Sequence, residues 1–161
     1  MSFFPIPYLN LNICEISIIA SNINLTASAA GATFGSILSD TGGEISLADS
    51  TTINLPANKS FFIKTNIIAD SSVTTGSSYF VELTDQTLTS VNHQSRGSQL
   101  ARTGTGSGVG CLSIEMMAIL FPIISTRQIK VKISADTAVG SIPYNSANAF
   151  IPNSSITILY G

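Results

Sequence analysis

The segment Gln128-Ile129-Lys130-Val131-Lys132-Ile133 alternates polar and apolar side chains without a break. Successive side chains of a strand point to opposite faces, so this spacing puts Ile129, Val131 and Ile133 toward a core and Gln128, Lys130 and Lys132 toward water. A helix would scatter the same residues around its circumference. The pattern recurs along the chain. Phe61, Ile63 and Ile67 share one phase, with Phe62, Lys64 and Asn66 in the other. Tyr79, Val81 and Leu83 stand opposite Glu82, and Ile156, Ile158 and Tyr160 fall together near the end. Such alternation marks antiparallel strands with one face in the core.

Two stretches are denser in apolar residues and predict strands buried on both faces. One is 15–24, with Ile16, Ile18, Ile19 and Ile23; the other is 112–121, Leu-Ser-Ile-Glu-Met-Met-Ala-Ile-Leu-Phe. Composition alone would also suit a helix in the second, but its neighbours are all strand-like, so a central strand is expected. Turn-forming clusters separate the runs: 39–43 (Ser-Asp-Thr-Gly-Gly), 56–59 (Pro-Ala-Asn-Lys), 70–72, 75–78, 135–137 and 152–154. The segment 90–110, rich in Gly, Ser and Thr, is expected to be a long irregular loop. Many short strands with such punctuation predict an all-β antiparallel β-sandwich of jelly-roll type, in one domain spanning 1–161.

Composition bears on the surface of that sandwich. Only 10% of the 161 residues are charged, against about 25% in ordinary soluble domains. Its outside must therefore be covered largely by Ser, Thr, Asn and Gly. Copies of such a surface repel one another weakly, and part of it is expected to be buried in an oligomer. The formal net charge of −2 argues against a nucleic-acid partner. Insertion in a membrane is not expected either: the longest apolar run, 116–124, is interrupted by Pro122 and falls short of the ~20 residues a spanning helix needs. Residues 1–20 lack the basic start of a secretory signal and carry Pro5 and Pro7, so they read as mature chain.

No constellation of catalytic residues emerges, and no enzyme activity is expected. His93, the one histidine, falls in the polar 90–110 segment with no recognisable base–nucleophile set around it. Glu82 and Asp85 point to opposite faces of a strand and make no acid–base pair. Asp40, Glu44 and Asp49 flank the Gly42-Gly43 turn but lack the spacing of a calcium loop. The glycines at 104, 106, 108 and 110 match neither GxGxxG nor a phosphate loop ending in Gly-Lys-Ser/Thr. Cys14 and Cys111 sit in apolar, strand-like surroundings, without CxxC or a Cys/His set, and read as buried free thiols, with a disulfide between them as the alternative that sequence leaves open. No catalytic, metal or cofactor site is assigned.

The segment Ile45-Ser46-Leu47 followed by Ile53-Asn54-Leu55-Pro56-Ala57-Asn58-Lys59-Ser60-Phe61-Phe62-Ile63 resembles the opening pattern, a strand and then Leu-x-x-Gly-x-x-Tyr-x-Ile, of the tumour-necrosis-factor-like and complement globular-head jelly rolls. Asn58 stands where that pattern has Gly, and Phe61 or Phe62 where it has Tyr. The resemblance spans roughly 43–161, ending in the short apolar strand 155–160, and leaves the first 40 residues unexplained. It implies a homotrimer without catalytic residues. Similar domains tip phage fibres and viral spikes, so it also implies a virion structural protein: a decoration or fibre-tip domain in contact with capsid or fibre proteins and with a host glycan or receptor. The alternative is a non-viral jelly-roll binding module, a lectin or tumour-necrosis-factor-like ligand.

Residues 1–12, Met-Ser-Phe-Phe-Pro-Ile-Pro-Tyr-Leu-Asn-Leu-Asn, form an extended, proline-stiffened stretch. Water is a poor home for Phe3, Phe4, Ile6, Tyr8 and Leu9, which makes them candidate interaction residues. They form either an edge strand on their own domain or an arm that docks on another subunit or on a capsid.

Overall fold

The computed structural model describes residues 10–18, 22–24, 30–71, 79–87, 92–95, 110–135, 141–143 and 154–161. All regular structure among them is β: β1 Asn12–Ile18, β2 Asn22–Asn24, β3 Ala30–Gly31, β4 Phe34–Asp40, β5 Ser46–Asp49, β6 Thr52–Leu55, β7 Phe61–Ser71, β8 Tyr79–Asp85, β9 Asn92–Ser95, β10 Gly110–Leu120, β11 Arg127–Ala135, β12 Ser141–Pro143 and β13 Ser155–Tyr160.

Two antiparallel sheets make the sandwich. One is five-stranded in the order β10-β7-β13-β1-β4; the other runs β5-β6-β11-β8-β9, with β3 paired to β11 beside it. A two-stranded piece joins β2 to β12. The last strand sits between β7 and β1, so the chain's end is locked into the middle of a sheet. Inward side chains of both sheets meet in one core. Cys14, Ile16, Phe34, Phe61, Ile63, Met116, Ile156 and Tyr160 come from the first sheet; Ile53, Leu55, Val81, Leu83, Ile129, Val131 and Ile133 come from the second. The faces read from the period of two are those observed: Ile129, Val131 and Ile133 are buried while Lys130 and Lys132 are half-exposed. Tyr79 has the expected strand position, opposite Ala135.

Turn chemistry is visible at 56–60. Asn58 has φ 58°, the left-handed region in which Gly is favoured and Asn tolerated, which accounts for Asn at the Gly position of the family pattern. Of the two phenylalanines that could match the Tyr, Phe61 points inward and stacks on Tyr160, ring centroids 6.0 Å apart; Phe62 points out.

Four expectations need correction. The stretch 112–121 is neither central nor buried on both faces. It forms most of β10, at one edge of the five-stranded sheet, and from Glu115 to Phe121 its residues alternate out and in. The stretch 15–24 also splits: Ile16 and Ile18 are buried, but Glu15 is exposed. Part of the segment 90–110 is ordered as β9, paired to β8 with His93 opposite Leu83. Asp70 and Ser71 belong to β7 and not to a turn, because their partners Cys111 and Gly110 extend the ladder that far. The first 40 residues are integral to the fold as well, supplying β1 and β4 to the five-stranded sheet.

Cys14 is a buried free thiol. The ladder runs from Cys14 through Ile158 and Ile63 to Ala118. Cys111 lies seven residues farther along β10 than Ala118, about 23 Å at strand rise, far outside disulfide range.

Candidate interaction surface

The outward face of the five-stranded sheet is the most unusual surface among the described residues. Ladder pairing aligns its side chains in lateral rows. One row is Ile119–Phe62–Leu159–Ile13, crossing β10, β7, β13 and β1. The next is Met117–Lys64–Thr157–Glu15–Ser39, and beyond it come Glu115, Asn66, Ser155 and Ser17. The face is thus graded, apolar at one end and polar at the other. Ile119 is 59% exposed and Met117 58%; Phe62 and Ile13 are also exposed. Lys64 pairs with Glu115 at 3.1 Å where the face turns polar. Fully burying one Ile, Leu, Phe or Met side chain contributes roughly 1.5–3 kcal/mol. A contiguous set of this kind marks a contact surface.

The apolar row lies toward the lower end of the sandwich, where β1, β7 and β11 begin and β6, β8, β10 and β13 finish. At that end Phe121 is 76% and Ile124 92% exposed, on the link between β10 and β11. The link is held from beneath. Arg127, buried at the start of β11, donates from Nη2 to the Phe121 carbonyl at 3.0 Å. The Asn58 amide donates to the Ile123 carbonyl at 2.7 Å, tying the link to the β6–β7 turn. Arg127 is itself fixed by an ion pair, Nε to Asp85 Oδ2 at 3.1 Å, with both side chains almost wholly buried. Asp85 Oδ1 accepts from the Thr87 amide at 2.9 Å.

The titratable groups nearby are structural. Tyr160 donates to Asp40 Oδ1 at 2.6 Å, while the Ile45 amide donates to Oδ2 at 2.9 Å and the Gly42 amide to Oδ1 at 3.2 Å. Burial would raise the Asp40 pKa; the Tyr160 hydroxyl and the amides of Ile45, Gly42 and Gly43 outweigh it and hold the carboxyl below its ordinary value. Burial, then the Asp40 hydrogen bond, pushes Tyr160 up to about 12. Burial, with the charges of Asp40 and Glu15 behind it, pushes the Cys14 thiol up to about 12, so it is no nucleophile near neutrality. Asp49 is occupied by Thr51 and Thr52. No group of three or more metal-ligating side chains occurs among the described residues.

The arm residues Phe3, Phe4, Ile6, Tyr8 and Leu9 lie outside the described residues; Asn10, where description begins, sits beside Gly161 at the lower end. The exposed set Ile13, Phe62, Met117, Ile119, Phe121 and Ile124 was not anticipated as a surface. A signal for it was present: Glu115 is in phase with Met117, Ile119 and Phe121, and Glu15 with Ile13. A charged side chain in phase with an apolar set means that the face reaches water.

No family model and no curated protein matches the sequence. Solved structures match it in fold. A crystal structure of murine APRIL at pH 8.0 aligns with TM-score 0.60 and 8% identity, covering 93% of this chain and 98% of that one. The structure of Eiger TNF from S. frugiperda aligns at TM-score 0.47 and 9% identity, over 91% and 90% of the two chains. The globular domain of zebrafish complement 1qA protein aligns at 0.44 and 12%, over 91% and 94%. At 8% identity the likeness to murine APRIL is one of fold alone: the chain is an all-β jelly-roll sandwich, the fold that it shares with that structure.

Proposed function

We propose that the chain is a structural and attachment subunit of a virion: a homotrimer joined through the outward face of its five-stranded sheet, serving as a capsid decoration or fibre tip. The observation that carries the self-assembly is the apolar row Ile119–Phe62–Leu159–Ile13, open to water in the single chain. With few charges on the rest of the surface, little opposes association. A three-fold arrangement is the closed symmetry to which the jelly-roll resemblance points. The virion setting rests on the likeness to fibre-tip and spike domains. In that setting the lower end faces the capsid or fibre and the opposite end faces a host glycan or receptor.

The second reading is a free trimeric binding module, favoured by the alignment that covers 98% of a murine APRIL chain. Antibody detection across a density gradient of purified particles separates the two. Co-sedimentation of the chain with particles, resistant to washing, supports the virion role. A chain found only in the soluble fractions, as a trimer that binds a glycan or receptor, supports the module.

A further inference from the structure

We infer that Glu15 of one copy pairs with Lys64 of the next across the trimer contact, one row above the apolar row, and that these ion pairs fix the register of the assembly. This deepens the trimer reading above and rests on it.

The apolar row sets the height at which copies meet. Ile119, Phe62, Leu159 and Ile13 lie level across β10, β7, β13 and β1. A cyclic trimer joins unlike patches, so the β1 side of one copy faces the β10 side of the next. Apolar surface leaves water on both partners when Ile13 of one copy comes level with Phe62 and Ile119 of its neighbour. That register corresponds to a three-fold axis running along the strands.

The level register also joins the next row to itself. Glu15, on β1, then faces Lys64 and Met117, on β7 and β10. A slip of one row in one direction sets Ile13 beside Lys64 and Glu15 beside Glu115. A slip in the other sets Glu15 beside Phe62 and Ile119. The first brings like charges together, and the second covers a carboxylate with apolar side chains. Only the level register matches apolar with apolar and negative with positive.

The charges within one chain are left ready for this contact. Lys64 and Glu115 pair at 3.1 Å, with 43% and 50% of their side chains exposed. Glu15 is exposed and has no ion-pair partner among the described residues. Its own chain's Lys64 stands beyond Thr157, two strand spacings or about 10 Å away. A lysine ammonium carries several N–H donors, so Lys64 can hold its own Glu115 and the neighbour's Glu15 together.

Paired-cysteine crosslinking tests the geometry and charge reversal tests the pairing, both on the full chain after light scattering has given its oligomer mass. Glu15→Cys and Lys64→Cys are combined in a Cys111→Ser background. Their separation within one chain exceeds the roughly 7 Å that a disulfide spans. Oxidation of the trimer should therefore give covalent dimers and trimers on a non-reducing gel, absent from either single cysteine variant. Glu15→Lys changes the summed charge of Glu15, Lys64 and Glu115 from −1 to +1 and leaves its magnitude alone. With circular dichroism unchanged, it should still raise the concentration of half-dissociation by about ten-fold or more. Reversing all three charges, with Glu15→Lys, Lys64→Glu and Glu115→Lys together, should bring it back to within about three-fold of the wild type. A trimer that forms no disulfide between copies, or is indifferent to Glu15→Lys, or is not rescued by the full reversal, overturns the pairing and leaves the trimer standing. A monomeric wild type overturns both.

Discussion

The hydroxyl of Tyr160, in the last strand of the chain, donates a 2.6 Å hydrogen bond to the carboxylate of Asp40, at the end of β4 on the far side of β1. The bond closes the β4–β5 turn against the centre of the five-stranded sheet. Tyr160→Phe removes it and leaves the stacked ring in place. It should cost about 1.5–3 kcal/mol, the range for a hydrogen bond to a charged group, read as a lower urea midpoint with an unchanged slope.

The same bond sets a pH dependence at both ends of the scale. Asp40 titrates below its unfolded value, so its contribution is complete above the ordinary carboxyl range and is lost as pH falls through the lowered folded value. Tyr160 and Cys14 are both raised to about 12 from ordinary values of 10.0 and 9.0. Their unfolded forms release protons first, so stability declines from about pH 9 and the loss is complete above about 12. Urea titrations across pH should show a flattened alkaline decline in Tyr160→Phe and a shallower acid limb in the same variant.

Gly42 and Gly43 should respond differently to alanine. A Cβ on Gly42 would press on the Tyr160 hydroxyl and the Asn12 amide, whereas one on Gly43 meets no atom but forces a side chain into φ 66°. Gly42→Ala should cost about 1–3 kcal/mol through overpacking; Gly43→Ala should cost about 1 kcal/mol through backbone strain. A larger loss for Gly43→Ala in equilibrium unfolding would contradict this packing.

Core and surface positions of β11 should separate cleanly. Val131→Asp puts a charge at a fully buried site and should cost several kcal/mol, on the order of 3 or more. Lys132→Ala removes a half-exposed side chain and should cost about 0.5 kcal/mol or less. Similar urea midpoints for the two variants would place β11 the wrong way round.

The sandwich was legible because its inward residues keep a period of two wherever the outward ones are polar, as in Gln128–Ile133. The β10 strand misled because its outward residues Met117, Ile119 and Phe121 are as apolar as its inward ones, Met116, Ala118 and Leu120. An apolar face reserved for another molecule and an apolar face buried in the same molecule have the same composition. Only Glu115, in phase with the outward set, tells them apart. The Arg127–Asp85 pair was not legible, since 42 positions separate the two residues and only the β8–β11 ladder brings them together.

Light scattering on the wild-type chain and on Ile119→Asp tests the central claim most directly. Ile119 ends the apolar row on the edge strand β10 and lies outside the core, so a carboxylate there leaves folding intact and places three like charges in a closed three-fold contact. The wild type should show three times the 16.8 kDa chain mass at micromolar concentration, and Ile119→Asp should fall to one chain mass with its β-type circular dichroism unchanged. A monomeric wild type, or an Ile119→Asp variant that stays trimeric, would contradict the account.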